Sequence, residues 1–494
     1  MTGPVVRVGS GALRGRDVGG VSAFLGVPYA AAPYGLRRFR PPEPVEPWDG
    51  IREAQAFGPT PPKGRLSEHL ERMFPERWID GEDCLNLNIW TPDSGASGLP
   101  VLIWIHGGGF TNGSSSAGEL DGRAFARSGV VCVTISYRVA ADGFLYLGDG
   151  IANAGLQDQI AALEWARDNI AAFGGDPARV TLAGHSAGGS SVACLLAAER
   201  AVGLFARAII QSTSGIHRLT SPDMALRVGR DLAHRLDVPA TREALAQVPV
   251  VALLAAAAAQ MADLEDPDPD VWGPAARTMA PWAPSADGDV LPEVPLDAIA
   301  AGRNSDVPLL TGTTRDELRL YLTPEHLEAC DEDALLSGIA KFGLDGDGLK
   351  PYRSNRPQAS PGELLAAVST DWYYRRPIVG FAETRCRAGA TDTWVYRFDR
   401  PRLQENGYGA AHGVEVPFVF GTTDVGETHA RIGPHPSTEV ADLLHRTWVR
   451  FIETGEPGWA RYDLPHRMTG VLTETLDEVP DPDGVERASW EEFV

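Results

Sequence analysis

From Pro100 onward the sequence alternates short apolar runs with segments of helical periodicity. The apolar runs are VLIWI (101–105), VVCVTISY (130–137), RVTLAGHS (179–186), ARAIIQS (206–212), VPLLTGT (307–313) and TDTWVYRFDR (391–400). The predicted helices include LQDQIAALEWARDNIAAF (156–173) and SAGGSSVACLLAA (186–198). Strands that are apolar throughout are buried on both faces, and their alternation with helices is typical of a doubly wound, mostly parallel sheet. We therefore predict an α/β fold with helices on both faces of the sheet.

Composition limits the partners and the cellular location that can be expected. The 494 residues include 44 Lys and Arg against 66 Asp and Glu, giving a net charge of −22. Such a charge disfavours nucleic acids and anionic membranes as partners. The five cysteines are scattered and lack CxxC spacing, and the first residues contain no apolar signal region. We expect a cytoplasmic protein with reduced thiols and no membrane span, present as a monomer or a weak homodimer.

Ser186 lies in a glycine-rich turn between a predicted strand and a predicted helix. Residues 184–188, GHSAG, match G-x-S-x-G, and strand–turn–helix is the setting that a nucleophile elbow requires. The alternative is a tight turn with a serine that caps the helix. A serine hydroxyl is a weak nucleophile at neutral pH and needs a histidine base, usually oriented by a carboxylate. The motif thus makes Ser186 the candidate nucleophile of a catalytic triad.

Three consecutive glycines follow the first apolar run, in VLIWIHGGGF (101–110). Glycine loses the most backbone freedom on folding, so three in a row need a reason. HGGG matches an oxyanion loop, whose backbone N–H groups point at the negative charge that develops on a reacting carbonyl. The phosphate-binding patterns GxGxxG and GxxxxGK[ST] do not fit. We predict an oxyanion hole formed by the amides of Gly108, Gly109 and Ala187. Phe110, which follows, either lines the acyl pocket or packs in the core.

With these motifs the chain resembles the type B carboxylesterase family, which includes cholinesterases and bacterial para-nitrobenzyl esterases. The likeness covers nearly the whole sequence through segments in the family's order: 24–50, EDCLNLNIW (82–90), 153–189, PLLTGTTRDE (308–317), HGVEVPFVFG (412–421) and TWVRFIETGEPGW (447–459). The resemblance implies a single α/β-hydrolase domain over residues 1–494. Within it, the region from about 215 to 390 departs from the strand–helix alternation, and we expect helical insertions over the active site there.

The triad base and acid must follow Ser186, because the order in this fold is serine, acid, histidine. His412 lies in a glycine-rich loop after the strand predicted at 391–400, while His429 and His435 on a later loop remain alternatives. His445 falls on a predicted amphipathic helix and is interpreted as structural. For the acid, the residues alone do not choose between Asp316 and Glu317. The resemblance selects Glu317, although Leu318 replaces the family's usual glycine after it.

Other positions are interpreted through the same resemblance. His185 stands where cholinesterases have glutamate, and we interpret it as a polar neighbour of the site without a catalytic role. Cys84 is expected to be free, because the upstream stretch FGPTPPKG contains no cysteine to pair with it. The resemblance also suggests two structural ion pairs, Arg38–Glu82 and Arg138–Asp158.

Together these features predict a serine carboxylesterase for small to medium neutral esters, acting without cofactor or metal. An acyltransferase, or a hydrolase of amides or carbamates, would use the same triad and stays open. Some members of this superfamily have lost the nucleophile and serve as binding or adhesion proteins. The presence of Ser186, Glu317, His412 and the glycine loop argues against that role. No aromatic lining typical of a choline site is seen, so cholinesterase activity is not expected.

Overall fold

The computed structural model describes residues 3–214, 219–263, 281–399 and 407–490. Its contacts group the chain into two compact units. The first contains the described residues up to Ile209 and those from 219 to Ala298. The second contains residues 210–214 and the described residues from Ile299 onward. The single-domain organisation expected from the sequence stays a prediction.

The first unit contains a small sheet and a larger one. The strands are β1 Val5–Val8, β2 Gly11–Arg14, β3 Arg16–Asp17, β4 Ser22–Pro28, β5 Ile51–Glu53, β6 Asn86–Thr91, β7 Leu99–Ile105, β8 Val131–Ile135 and β9 Gly175–His185. The small sheet has the order β1-β2-β5, and the larger has the order β9-β7-β8-β6-β4-β3. β7 is parallel to β8 and to β9, whereas β6, β4 and β3 are paired antiparallel.

The second unit continues the pattern with β11 Leu309–Thr314, β12 Thr393–Phe398, β13 Met468–Leu472 and β14 Leu476–Pro480, in the order β14-β13-β12-β11. β11, β12 and β13 are parallel, and β14 is antiparallel. The boundary between the units falls within β10, Arg207–Gln211. Each of the six apolar runs predicted as strands overlaps one of β7 to β12, and β7 and β8 are buried along nearly their whole length. Those strand predictions are confirmed.

Helices connect the strands and fill much of the described region between 219 and 390. Their bounds are Glu68–Met73, Arg123–Arg127, Ala140–Phe144, Ala154–Asn169, Ala187–Ala197, Pro222–Arg235, Arg242–Ala246, Val250–Ala262, Pro295–Ala300, Pro324–Ala329, Glu332–Ala340, Lys350–Asn355, Pro361–Thr370, Arg376–Arg387, Val416–Phe420, His429–Ile432, Thr438–Thr454 and Gly484–Ala488. The helices predicted at 156–173 and 186–198 are confirmed, the first ending in a 3₁₀ turn at Ile170–Phe173. A π-helical turn, Asp371–Arg375, joins two of the later helices.

One of the two expected ion pairs is present and the other prediction was wrong. Arg138 and Asp158 are both buried, and the guanidinium binds the carboxylate through two bonds of 2.7 and 2.8 Å. Arg38 pairs with Asp142 at 2.9 Å instead of with Glu82. Arg38 and Asp142 are 5% and 4% exposed, whereas Glu82 is exposed to solvent. A buried guanidinium needs a carboxylate that is buried with it, and Glu82 does not meet that condition.

Cys84 is buried with a free thiol, as the sequence predicted, and the other four cysteines are also free. Within the described ranges, the His, Cys, Asp and Glu side chains form no cluster suited to holding a metal ion. Among the helices that the structure describes, none combines the length and the apolar character needed to cross a bilayer.

Candidate active site

Ser186 occupies a sharp turn between β9 and the helix Ala187–Ala197. Its backbone has φ 58° and ψ −122°, a conformation that residues with a side chain rarely adopt. The Ser186 carbonyl already accepts a helical bond from the Ser190 amide at 2.9 Å. The side chain is only partly buried. The turn therefore holds Ser186 in a strained conformation of the kind that a nucleophile elbow requires.

Backbone packing explains the two glycines of the elbow. A Cβ on Gly184 would lie 2.4 Å from the carbonyl carbon and oxygen of Gly188. A Cβ on Gly188 would lie 2.1 Å from the carbonyl oxygen of Ile105, the last residue of β7. Contacts this short do not occur, so only glycine allows the turn to close against the neighbouring strand.

The glycine loop lies beside the elbow because of the sheet register. Ile105 is paired with Gly184 in the parallel β7–β9 ladder, so the residues that follow each strand emerge at the same edge. A Cβ on Gly107 would lie 3.2 Å from the Cβ of Ser186. Gly108 has φ 113°, and a Cβ there would lie 2.3 Å from the carbonyl oxygen of Asn112. The loop curls back on itself, with the Thr111 and Asn112 amides donating to the Gly108 carbonyl at 3.1 and 2.9 Å.

Ala187 has a backbone N–H that can donate a hydrogen bond, whereas Phe110 is a packed aromatic side chain. Ala187 is the first residue of its helix, where a backbone N–H has no intrahelical acceptor. Phe110 is 5% exposed, and its ring meets that of Phe144 edge-on at 5.1 Å. The Phe110 carbonyl also accepts a 2.6 Å bond from Ala140. Phe110 is thus a packed side chain, and its part in an acyl pocket stays a prediction.

His106, at the start of the glycine loop, is a buried neutral histidine. Its ring stacks on Tyr137 at 4.5 Å, and Nδ1 lies 2.8 Å from the Gly107 carbonyl oxygen. Burial lowers the pKa of His106 to about 4, and the nearby charge of Lys63 acts in the same direction. At neutral pH the neutral ring donates its Nδ1 proton to Gly107 and so steadies the loop.

Glu317 and His412 form a buried pair in the second unit. His412 Nδ1 lies 2.6 Å from Glu317 Oε2, and the two side chains are 3% and 0% exposed. The other carboxylate oxygen of Glu317 accepts the Thr314 amide at 2.7 Å. A carboxylate at Nδ1 fixes the tautomer in which Nε2 carries the lone pair. Of the two adjacent carboxylates that the sequence left open, Glu317 is the one that contacts His412.

Asp316 anchors the loop that carries His412. Its amide donates to the Ala410 carbonyl at 2.9 Å, and its Oδ2 accepts the Ala410 amide at 3.0 Å. The His412 amide donates to the Glu317 carbonyl at 3.2 Å. The acid turn and the histidine loop are therefore joined by backbone bonds as well as by the side-chain pair.

Further side chains close to His412 gave no signal in the sequence. The Tyr374 ring, from the π-helical turn, lies 4.7 Å from the His412 ring, and the Tyr321 ring lies 6.1 Å away. Glu415 is fully buried and accepts a 3.2 Å bond from Gln211, which in turn accepts from Trp448 at 2.8 Å. Only the position of Glu415 three residues after His412, in a stretch otherwise apolar, could have drawn attention to it.

Of the other histidines considered above, His445 and His429 have structural contacts. His445 lies on the predicted helix, now Thr438–Thr454, with Nδ1 2.8 Å from the Val419 carbonyl oxygen. His429 begins a short helix, and its Nε2 lies 3.1 Å from the Thr423 carbonyl oxygen. His435 is exposed, and His185 is buried beside the glycine loop. The structure thus places Ser186 with the glycine loop in the first unit, and Glu317 with His412 in the second.

Comparison with known proteins identifies the fold and the family of the chain. A family model described as "Carboxylesterase family" matches residues 2–469. The chain is 35% identical to the para-nitrobenzyl esterase of Bacillus subtilis, over 99% of this chain and 98% of that one. It is 33% identical to the phenmedipham hydrolase of Pseudarthrobacter oxydans, over 92% and 91%. A crystal structure of a Geobacillus stearothermophilus carboxylesterase superposes with a TM-score of 0.84 at 36% identity, covering 99% of this chain and 100% of that one. The fold is that of an α/β-hydrolase, with a large, mostly parallel sheet flanked by helices, as predicted.

Proposed function

The chain belongs to the carboxylesterase family and is a carboxylic ester hydrolase, and we propose that it cleaves small to medium neutral esters through an acyl-enzyme on Ser186. The observation that carries the proposal is the backbone of Ser186, held at φ 58° in a turn that its flanking glycines make possible. Strain of this kind is retained where it serves function. The buried Glu317–His412 pair supplies the base that such a serine requires.

In the first step His412 Nε2 takes the proton of Ser186 as Oγ attacks the ester carbonyl. Glu317 holds the ring orientation and stabilises the imidazolium that forms. The amides of Gly108, Gly109 and Ala187 stabilise the negative charge on the carbonyl oxygen. The imidazolium then protonates the leaving alcohol, which departs and leaves the acyl group on Ser186.

In the second step water replaces the alcohol. His412 removes a proton from the water as it attacks the acyl carbonyl, and the same amides stabilise the second oxyanion. The imidazolium returns the proton to Ser186 Oγ, and the carboxylic acid leaves. Every group in this cycle belongs to the chain itself, so the mechanism as proposed involves no metal or cofactor.

Neutral esters are the favoured substrate class because the molecule carries a net charge of −22. Such a charge repels anionic substrates at a distance, although salt screens the effect. An acyltransferase would use the same residues and would differ in transferring the acyl group to an added alcohol faster than to water.

The test is the release of para-nitrophenol from acetyl, butyryl and octanoyl esters by the native protein and by Ser186→Ala. We expect hydrolysis by the native protein and a loss on the order of a millionfold in kcat for the variant. The matched control is Ser97→Ala, at an exposed position of the same unit, which should keep kcat within about threefold.

A folded native protein that is inactive on all three esters would exclude this substrate class. Full activity of Ser186→Ala would exclude the proposed nucleophile. Added methanol provides the remaining distinction. If methyl ester forms faster than free acid at low methanol concentration, the protein is an acyltransferase and the hydrolytic second step is wrong.

A further inference from the structure

Residues 60–79 form a closed loop, which we call the strap. The Thr60 amide donates to the Ile79 carbonyl at 2.9 Å, and the Ile79 amide donates to the Thr60 hydroxyl at 3.2 Å. The strap includes the helix Glu68–Met73, which Ser67 caps by accepting the Leu70 amide. These bonds join the two ends of the strap to each other.

The strap contains a buried ion pair, Lys63–Glu76. The Lys63 side chain is 0% exposed and that of Glu76 is 7% exposed. Burial lowers the pKa of Lys63, while the Glu76 carboxylate acts in the opposite direction and favours the charged ammonium. Desolvating two charges is costly, and a buried pair adds little to stability relative to apolar side chains of similar size. Stability alone therefore does not explain why these two charges are buried together.

Both charges of the pair bind the backbone of one residue, Gly113. Glu76 Oε1 accepts the Gly113 amide at 2.8 Å, and Lys63 Nζ donates to the Gly113 carbonyl at 3.1 Å. The next residue back is held as well, since Asn112 Nδ2 donates to the Gly64 carbonyl at 2.6 Å. Hydrogen bonds to charged groups are about twice as strong as neutral ones. The strap thus holds residues 112–113 through three polar contacts.

Gly113 in turn packs directly against the back of the glycine loop. It has φ 96°, and a Cβ there would lie 2.2 Å from the Gly107 carbonyl oxygen and 2.4 Å from His106 Nδ1. The Asn112 amide donates to the Gly108 carbonyl at 2.9 Å. A continuous series of contacts therefore runs from the ion pair through residues 112–113 to the glycines beside Ser186.

We propose that the Lys63–Glu76 pair is a positioning element for the oxyanion hole, fixing the direction of the Gly108 and Gly109 amides through Gly113. The inference rests on the proposed function, in which those amides stabilise the oxyanion. Amides aimed in advance at developing charge contribute most to this kind of reaction, and small displacements reduce the rate strongly. The pair acts through the loop and does not touch the substrate.

The first test is Glu76→Gln, which keeps the shape and an acceptor for Gly113 but removes the charge. Amide hydrogen exchange of a peptide covering 106–112 should become roughly tenfold or more faster, because the loop opens more often. The matched control is Asp83→Asn, which removes the charge from the half-exposed Arg52–Asp83 pair of the same unit and should leave that peptide unchanged. Unchanged exchange in Glu76→Gln would overturn the proposal.

The second readout is kinetic and uses a para-nitrophenyl ester together with a trifluoromethyl ketone, which forms a tetrahedral adduct with an active serine. Loss of oxyanion stabilisation should lower kcat roughly tenfold or more, leave KM within about twofold, and weaken the ketone by the same factor as kcat/KM. A variant that only unfolds part of the protein would lower the amount of titratable Ser186 and leave kcat per active site at the native value, which would contradict the proposal.

A double variant, Lys63→Met with Glu76→Met, separates folding from positioning. Without an unpaired charge it should remain folded, with a stability lowered only by the loss of the two bonds to Gly113, and it should show the same fast exchange and low kcat as Glu76→Gln. Native exchange and native kcat in this variant would overturn the proposal. Hydrogen exchange needs no turnover, so an inactive native protein would refute the proposed function while the exchange comparison still decides the positioning role.

Discussion

Glu415 is a carboxyl group whose burial should make the stability of the protein depend on pH. Burial, with the neighbouring charge of Glu317 as the next cause, raises the pKa of Glu415 to about 8. The folded protein therefore keeps this proton between about pH 4.5 and 8, whereas the unfolded chain releases it. The contribution of Glu415 to the free energy of unfolding is therefore fully present below about pH 4.5 and is lost as the pH rises to about 8.

Glu415→Gln should remove this dependence, because a glutamine is neutral in both states. We expect the free energy of unfolding of the variant, relative to the native protein, to rise by about 2 kcal/mol between pH 5.5 and 7.5. Urea denaturation at the two pH values measures it. Glu474→Gln, at an exposed position, is the control and should show no such change. A pH-independent difference for Glu415→Gln would mean that the carboxyl is ionised in the folded state.

At the level of single residues, the sequence located the GHSAG turn and the HGGG loop because both are contiguous motifs, and the roles of Ser186 and of the loop amides stay predictions. The sequence pattern could not choose between Asp316 and Glu317, because adjacent carboxylates differ only in the direction in which each side chain points. The structure separates them by contact, with Glu317 on the His412 ring and Asp316 on the Ala410 backbone. The ion-pair prediction for Arg38 failed for a related reason, because sequence does not tell which carboxylate is buried.

The element that carries His412 is a loop, and its position depends on Asp316. Asp316→Ala removes the acceptor of the Ala410 amide and should allow the loop to shift, lowering kcat by roughly tenfold through misplacement of His412, the proposed base. Steady-state kinetics on a para-nitrophenyl ester, normalised to titrated Ser186, measures the effect. The free energy of unfolding of the variant should stay close to the native value, so that a loss of folded protein does not explain the lower kcat.

Asp316→Asn is the matched control, since it retains an oxygen acceptor in the same place. We expect this variant to keep kcat within about threefold of the native value. If the asparagine variant loses as much activity as the alanine variant, the charge of Asp316 is what matters and the hydrogen bond to the loop is not the cause.

Among elements, the strands β7 to β12 were the best predicted, because runs such as 101–105 are apolar throughout and end in turn residues. The small sheet β1-β2-β5 was not predicted, since its strands are three or four residues long and contain charged side chains. The π-helical turn was also invisible, because its one extra residue changes the helical period only locally. Long-range polar contacts such as those of the strap leave no periodic pattern at all.

At the scale of the whole molecule, the net charge of −22 should discriminate between substrates by charge. An ester with a carboxylate, such as para-nitrophenyl hemiglutarate, should have a lower kcat/KM than its neutral counterpart, para-nitrophenyl pentanoate, in low salt. Raising the salt from about 10 mM to 0.5 M shortens the screening length several-fold, and the ratio of the two kcat/KM values should approach one.

The neutral ester is the control for general effects of salt on the enzyme, because long-range charge repulsion does not act on it. Initial rates at substrate concentrations well below KM give both kcat/KM values in the same buffers. A ratio that stays constant with salt would assign the discrimination to short-range contacts in the pocket.

The glycines at 108, 184 and 188 also bear on how this site can evolve. Every single-base change in a glycine codon that yields another amino acid adds a Cβ, and at these three positions that atom would lie 2.1 to 2.4 Å from a neighbouring backbone atom. We therefore expect single-base substitutions at these three codons to be strongly counter-selected. Sequence change in descendants of this gene should then concentrate in the side chains around the elbow and the loop.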